Sequence, residues 1–421
     1  MSISSSEPAA GGSRVIVIGA GIVGTCCALE LRKKGFEVTL VDRVPPGESC
    51  SFGNAGVLAS WSCVPLSMPG TLAKVPRWLF DPEGPLSIRP AYLPRLAPWL
   101  LRFLQAGRAA RIPAAADALF AINGPTVALY QELAKEAGAP ELVRESAHLQ
   151  VSRQPGNFDL GDLEWRLRRE RGATLTLLEG GEIRELEPEI APDYVSGIRI
   201  APQGHTTNPE RLVKVLAEHF QRLGGQLRQA DVRRLRSEPT GPRLETDVGE
   251  LSAEAVVVAA GAWSARLAAQ IGVKIPLEAE RGYHMTFAQP GVELQNTVSE
   301  AGRMFISTAM EPGLRVAGTA EFAGIEAAPD WRRARVLGRM VKELFPRLDT
   351  SRPSEWMGRR PSLPDNLPVI GPAPTAKNVF FAFGHGHTGL TAAPMTARIV
   401  AGMIAGAPLN LDVRPYRATR F

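Results

Sequence analysis

Gly19, Gly21 and Gly24 stand at the spacing GxGxxG, and Asp42 closes the next apolar run. In that pattern, three glycines and one carboxylate can hold the adenosine diphosphate half of a dinucleotide. The first glycine permits a tight turn, the second lets the backbone approach a pyrophosphate, and the third lets a helix pack against a strand. Free N–H groups at the helix start then face the phosphates. Asp42 can accept hydrogen bonds from a ribose and would repel a 2′-phosphate, which favours FAD or NAD over NADP. This chemistry requires a strand, a turn, a helix and a second strand in order. Val15 to Ile18 is an apolar run suited to a parallel strand buried on both faces. A helix is predicted from Ile22 to Lys34, ended by Gly35, with Val38 to Val41 as the second strand. Because all these parts are in register, the motif reads as a binding unit and not as a bare glycine-rich turn.

Two later segments bear on which dinucleotide is bound. Ala255 to Ala260 is a buried apolar strand ending in Gly261-Ala262-Trp263-Ser264, and NVFFAFG runs into the turn GHGHTGLT. An NAD enzyme needs one dinucleotide unit, whereas a flavoprotein of this layout adds both of these. The helix start after the second turn could stabilise negative charge on a reduced flavin. No second GxGxxG precedes an acid-terminated strand, which argues against a separate NAD(P)H domain.

Composition narrows the class. The net charge of +5 comes from 48 Lys plus Arg against 43 Asp plus Glu, with no basic block, so no nucleic-acid partner is expected. Cys26, Cys27, Cys50 and Cys63 form no CxxC pair, which predicts no disulfides and a reducing, cytoplasmic compartment. The histidines are too few and too isolated from carboxylates for a metal site. The first dozen residues lack the regions of a secretory signal and read as a flexible tail. No uninterrupted apolar stretch reaches transmembrane length. The stretch from Val75 to Phe103 mixes Trp78, Phe80, Tyr92, Trp99 and Phe103 with arginines and prolines. It reads as a proline-broken cap over a cavity or as a peripheral contact with the inner face of a membrane.

The pattern predicts an α/β fold: a Rossmann-like FAD-binding domain, glutathione-reductase-like in its cofactor topology, with an inserted antiparallel-sheet substrate domain. The tail covers 1–12. The discontinuous FAD domain is assigned to 13–62, 195–275 and 354–421, and the cap to 63–194 and 276–353. Helices are expected at Pro209 to Leu223 behind an N-cap, at Trp331 to Phe345, and at Ala393 to Ala405. PLEAERGYHMTF, RMFISTA and LRVAGTAEF alternate as antiparallel strands.

Taken in order, GAGIVG, VDR, SFGNAG, RGYHM, GRRPSLPDNLPVIG and FGHGHTGLT resemble the D-amino-acid oxidase superfamily of FAD-dependent oxidoreductases, in its DadA-like D-amino-acid dehydrogenase branch. The resemblance covers nearly the whole chain. It implies FAD contacts across Gly19, Ala20, Gly21, Ile22, Val23 and Gly24, at Asp42 and Arg43, and at Ser51, Asn54, Ala55 and Gly56 in a loop similar to the family's SxxNAG. Further contacts are implied at Val232, Gly261, and the run Gly384, His385, Gly386, His387, Thr388, Gly389 and Leu390. Some relatives tether flavin through a cysteine at the place of Gly358, so non-covalent FAD is expected here.

The implied reaction is oxidative deamination of a D-amino acid to a 2-oxo acid and ammonia, with electrons passing to a quinone or another acceptor. Hydride transfer from Cα to flavin N5 needs a fixed Cα–H, a neutral amine and a cation for the carboxylate. Arg360 matches the family's carboxylate clamp, and Arg359 should point the other way. Tyr283 and His284 lie on a strand where alternation lets only one face the ligand, and Tyr283 is favoured as the donor. His387 is expected at the flavin-facing turn with His385. Phe305 stands where glycine-oxidase-like relatives place a carboxylate-binding tyrosine. With the aromatic segment it would suit a ring, such as D-proline or a hydroxyproline. A flavin-bearing subunit of a hetero-oligomer is the other reading.

Overall fold

Every position of Val15–Ile18 is apolar because both faces of its strand are covered. The computed structural model describes residues 12–421, with backbone alone for 72–74, so residues 1–11 of the expected tail lie outside the described residues. Strand Arg14–Ile18 pairs in parallel with Glu37–Asp42 on one side and Ala255–Val258 on the other. Val379–Phe383 and Gln226–Gln229 extend this six-stranded sheet, and Val369–Pro372 closes one edge antiparallel. Side chains alternate between two cores. Val15 and Val17 join helices Ile22–Lys33, Pro209–Arg222 and Gly389–Ile404, while Ile16 and Ile18 face a three-stranded antiparallel ribbon, Val232–Glu238, Gly241–Thr246 and Gly249–Ser252. Helix layer, parallel sheet and ribbon together form the Rossmann-like half predicted from the sequence.

The glycines keep strand and helix close. Gly19 adopts φ +107°, and a Cβ at Gly24 would stand 1.8 Å from the Gly19 carbonyl oxygen. Helix Pro209–Arg222 starts as predicted, with the Asn208 side chain accepting from the Arg211 N–H at 3.0 Å. The last helix begins four residues before the predicted Ala393 and carries Pro394 inside it. A proline has no N–H for the Leu390 carbonyl one turn back. The Tyr130 hydroxyl supplies that hydrogen bond instead, at 2.6 Å.

A ten-stranded sheet forms the other half. Its main path runs Pro353–Ser362, Glu278–Phe287, Gly313–Phe322, Ile306–Met310, Thr297–Glu300, Val143–Ser152, Ser196–Thr206 and Val57–Leu58. Helix Arg332–Leu344 covers one face through Val336, Leu337 and Met340. The partition along the chain differs from the sequence expectation. Strands Ser196–Thr206 and Pro353–Ser362 were assigned to the nucleotide part but are paired in this large sheet. Helices Ile112–Asn123 and Thr126–Ala137 were assigned to the cap, yet Leu119, Ile122, Tyr130 and Leu133 share the nucleotide core with Leu29, Leu216 and Ala397. By length and composition the run Ala109–Ala137 passes a test for crossing a membrane, but Arg111, Asp117 and Glu132 interrupt it and Gly124-Pro125 divides it into two helices. Its apolar side chains are instead used in that core.

Replacing Gly24 with alanine forces the helix off the strand. Overpacking of this kind costs about 1–3 kcal/mol, and urea unfolding of Gly24→Ala against the parent chain measures it.

Candidate functional site

A cavity of about 1530 Å³ runs between the two sheets. That exceeds the roughly 300–1,000 Å³ of an ordinary small-ligand pocket, and it suits a dinucleotide with a second molecule beside it. At one end lie Gly19, Gly21, Ile22, Val23, Asp42, Arg43 and Val232. Asp42 Oδ2 accepts from the Ala20 N–H at 2.7 Å, and burial raises its carboxyl above the usual range. Ala20 and Gly24 shape this turn from behind the cavity wall. Ser51 Oγ accepts from the Ile22 N–H at 3.0 Å, which brings the 51–56 loop to the helix start. Gly261, at φ +55°, begins the turn carrying Trp263, whose ring lies 4.2 Å beneath the Arg43 guanidinium. Helix start, buried acid and cavity size fit an adenine dinucleotide.

The other end is built by the 51–56 loop, the 384–390 turn and the large sheet. Asn54 Oδ1 accepts from the Gly56 N–H at 2.8 Å, and Gly56 turns at φ +75° behind the lining residues Asn54 and Ala55. Arg315, only 4% exposed, donates through Nη1 to the Phe52 and Asn54 carbonyls, each at 2.8 Å. No carboxylate pairs with it among the described residues, and burial lowers its pKa to about 10. Gly384 takes φ +87°, which favours glycine, and a Cβ there would press on the Leu363 side chain. His385 turns its ring inward to Thr396 Oγ1 at 2.9 Å, and burial drives its pKa to about 3. His387 faces the cavity, together with Gly386, Thr388, Gly389 and Leu390 at the start of the last helix. Its pKa is lowered first by burial, with Arg360 adding to the shift and Glu280 opposing it.

Arg360 is the cation of this end. Nη1 donates to Glu280 Oε1 at 2.8 Å and to the Thr319 carbonyl at 3.1 Å, while Ser362 Oγ donates to Glu280 Oε2 at 2.9 Å. Nε and Nη2 make no hydrogen bond among the described residues. The guanidinium lies flat on Gly282, where a Cβ would come within 2.2 Å of it. A bulge supplies the Thr319 carbonyl. Pairing between Glu278–Phe287 and Gly313–Phe322 slips between Arg281 and Tyr283, and Thr319 takes φ +54°. Arg359 points elsewhere, as predicted, donating to the Ile325 carbonyl at 2.7 Å.

The strand after Glu280 resolves differently from the sequence expectation. Tyr283 was favoured as the substrate's hydrogen-bond donor. Its hydroxyl is instead committed behind the sheet, donating to Glu321 Oε2 at 2.5 Å and accepting from the Asp330 N–H at 2.9 Å. His284 shares the face of Glu280 and Gly282 but packs against the cofactor loop, with Nδ1 3.1 Å from the Gly53 carbonyl and its ring stacked on Trp356. Phe305 is 2% exposed in the core under Gly318, and Ile306 takes the cavity face. That placement withdraws the argument from Phe305 for a ring-shaped substrate. Trp356 also covers Gly358, where a Cβ would meet its ring at 2.0 Å.

Glu280, Ser362, Arg315 and Trp356 were not foreseen. Glu280 was within reach, since it lies two residues before Gly282 on an alternating strand. The histidines share a character. His284 and His385 are pushed to about 3, His148 and His205 to about 4, and burial leads in each case. A histidine held neutral in this way adds no pH dependence while both folded and unfolded forms are neutral. As pH falls below about 6.5, the unfolded chain takes protons that the native chain refuses, so stability drops toward the folded value. The stability advantage of the parent over His284→Asn therefore shrinks between pH 7 and 4, as measured by urea unfolding at each pH.

Residues 14–403 match the family model described as DAO, FAD dependent oxidoreductase. A D-amino-acid oxidase of Bradyrhizobium diazoefficiens is 40% identical, over 97% of this chain and 99% of that protein. A D-amino acid dehydrogenase of the same organism is 30% identical, again over 97% and 99%. Among solved structures, glycine oxidase from Geobacillus kaustophilus shares the fold with a TM-score of 0.74 at 24% identity, covering 97% of this chain and 100% of that one. A family match over nearly the whole length, on a cavity whose adenine end is built for a dinucleotide, places this chain in the DAO family of FAD-dependent oxidoreductases.

Proposed function

We propose that the enzyme oxidatively deaminates D-amino acids, binding the substrate carboxylate on the free Nε–Nη2 edge of Arg360. The observation that carries this reading is the state of that guanidinium. Nη1 is fixed by Glu280 and Thr319, Gly282 supports the plane, and two parallel donors remain for a carboxylate. FAD, held without a covalent link because Gly358 has no side chain to form one, would supply the acceptor for the hydride leaving Cα. The protein's own part is to position and desolvate. Each Glu280 oxygen accepts a hydrogen bond, one from Arg360 and one from Ser362, so Glu280 fixes the clamp and its charge is neutralised by Arg360. His387 is kept uncharged beside them and offers a neutral ring to the amine. The imino acid formed is then hydrolysed by water to a 2-oxo acid and ammonia. The names of the 40%- and 30%-identical relatives support the D configuration.

The 75–103 segment lines the cavity on its inner side and carries an exposed apolar and basic surface on its outer side. Trp99 and Phe103 line the cavity, and Trp99 packs on Phe322. On the outside, Phe80 is 88% and Leu101 61% exposed, with Arg77, Arg95 and Arg102 also exposed. Such a surface suits peripheral contact with an anionic membrane, where a quinone could collect electrons.

Gly282→Ala should displace the guanidinium without removing it. Loss of one or two charged hydrogen bonds, about 1.5–3 kcal/mol each, predicts a KM raised at least roughly tenfold with FAD still bound. Anaerobic bleaching of the flavin by a D-amino-acid panel tests the activity itself, and no bleaching by any member would refute it. The double change Phe80→Ser and Leu101→Ser should abolish co-sedimentation with anionic vesicles while leaving dye-linked turnover intact.

A further inference from the structure

On the face of the large sheet that meets the cavity, one row of side chains runs outward from the clamp. Arg360 pairs across the strands with Glu280, Glu280 with Phe322, and Phe322 with Ile88, so the four share a face. The residues that alternate with them, Arg281, Glu321 and Arg89, turn to the opposite face, where both arginines bond Glu321 at 2.9 Å. Charge beyond the clamp is thereby placed behind the sheet, and the cavity side is left apolar.

Helix Leu93–Ala106 folds over this row. Trp99 packs on Phe322 and on Phe103, with ring centroids 5.3 Å apart in each pair, and its Nε1 donates to the Ser362 carbonyl at 3.4 Å. Ser362 is also the donor that holds Glu280, so the indole stands beside the clamp. Trp99, Phe103, Phe322, Ile88, Leu86 and Leu100 all line the cavity, and none carries a charge.

The wall lies within reach of a bound amino acid. The Arg360 guanidinium covers Gly282, and Phe322 stands one strand across and two residues along from Gly282, about 8 Å by the spacings of a sheet. An amino acid with its carboxylate on Arg360 and a side chain the size of phenylalanine spans that length. An alanine methyl does not.

We propose that Trp99, Phe103 and Phe322 form the side-chain subsite, which selects D-amino acids with aromatic or long apolar side chains, and that Trp99 sets the preference. The inference rests on the D-amino-acid reading of the clamp. Burying a side chain of this size against such a wall is worth roughly 10- to 100-fold in affinity.

The test is anaerobic flavin reduction in the FAD-loaded parent, in Trp99→Ala and in Phe103→Ala, with D-phenylalanine, D-alanine and D-glutamate. The parent should favour D-phenylalanine over D-alanine by roughly tenfold or more in kcat/KM. D-Glutamate should be disfavoured as strongly, because nothing in the wall pairs a second carboxylate. Trp99→Ala should lower the ratio of D-phenylalanine to D-alanine about tenfold, since the short substrate does not use the wall. Phe103→Ala, at a half-buried position with no bond to the clamp, should lower the same ratio about three- to tenfold and keeps the test standing should the first variant fail to fold. A parent ratio near one, a preference for D-glutamate, or an equal loss on both neutral substrates in the variants would overturn the subsite while leaving deamination standing. Failure of every amino acid, D-alanine included, would overturn the clamp reading and the subsite with it.

Discussion

The functional half of this enzyme depends on one flat contact, the Arg360 guanidinium lying on Gly282. Any side chain at Gly282 would lift the cation. Without Glu280 and the Thr319 carbonyl it could rotate, and the free edge would lose its direction. Holding the carbonyl there requires a bulged strand and a threonine at φ +54°, a conformation that costs of order 1–3 kcal/mol. Only a sheet paired on both sides of Gly313–Phe322 can impose it. The breadth of the second sheet is thus mechanical as well as topological.

The same strand governs the cofactor loop. Near its other end, Arg315 gathers the Phe52 and Asn54 carbonyls with a buried charge that no carboxylate contacts among the described residues. Carbonyl dipoles are weaker partners than a carboxylate, and burial lowers the pKa of the guanidinium. The arrangement still has a structural advantage, because a carboxylate at that point would compete with the loop for the cation. Clamp and loop therefore share one reference frame, and movement of Gly313–Phe322 would shift both.

This division explains what could be read from the sequence. The nucleotide unit was legible because its determinants are local: Gly19 to Asp42 contain the turn, the helix and the acid. Arg360 and the glycine–histidine turn were singled out through resemblance, and both line the cavity. The roof was not. Choosing between Tyr283 and His284 requires knowing which face of their strand meets the cavity, and the informative residue was Gly282, whose missing side chain makes the room. The bulge at Thr319 depends on cross-strand pairing, which no single segment encodes. The last helix was started at Ala393, four residues late, and the hydroxyl that serves the Leu390 carbonyl in place of a Pro394 N–H comes from Tyr130, 264 residues before Pro394. The cap assignment failed at residues 112–137 because an amphipathic helix does not declare which core it joins.

Charge accounting in the cavity leads to one more step. Arg360 is paired with Glu280 and Arg168 with Glu164, and the histidines of the site are neutral. An amino acid arriving as a zwitterion would place its carboxylate on Arg360 and its ammonium near an anion, Glu280, that Arg360 already neutralises. The guanidinium nearby disfavours a second positive charge and so lowers the pKa of the bound amine. The amine must lose its proton for its lone pair to assist hydride departure, and this environment favours that form without a dedicated base. Under the proposed reading, the rise of kcat/KM with pH belongs to the substrate's amine, and it should shift with the amine pKa of each substrate.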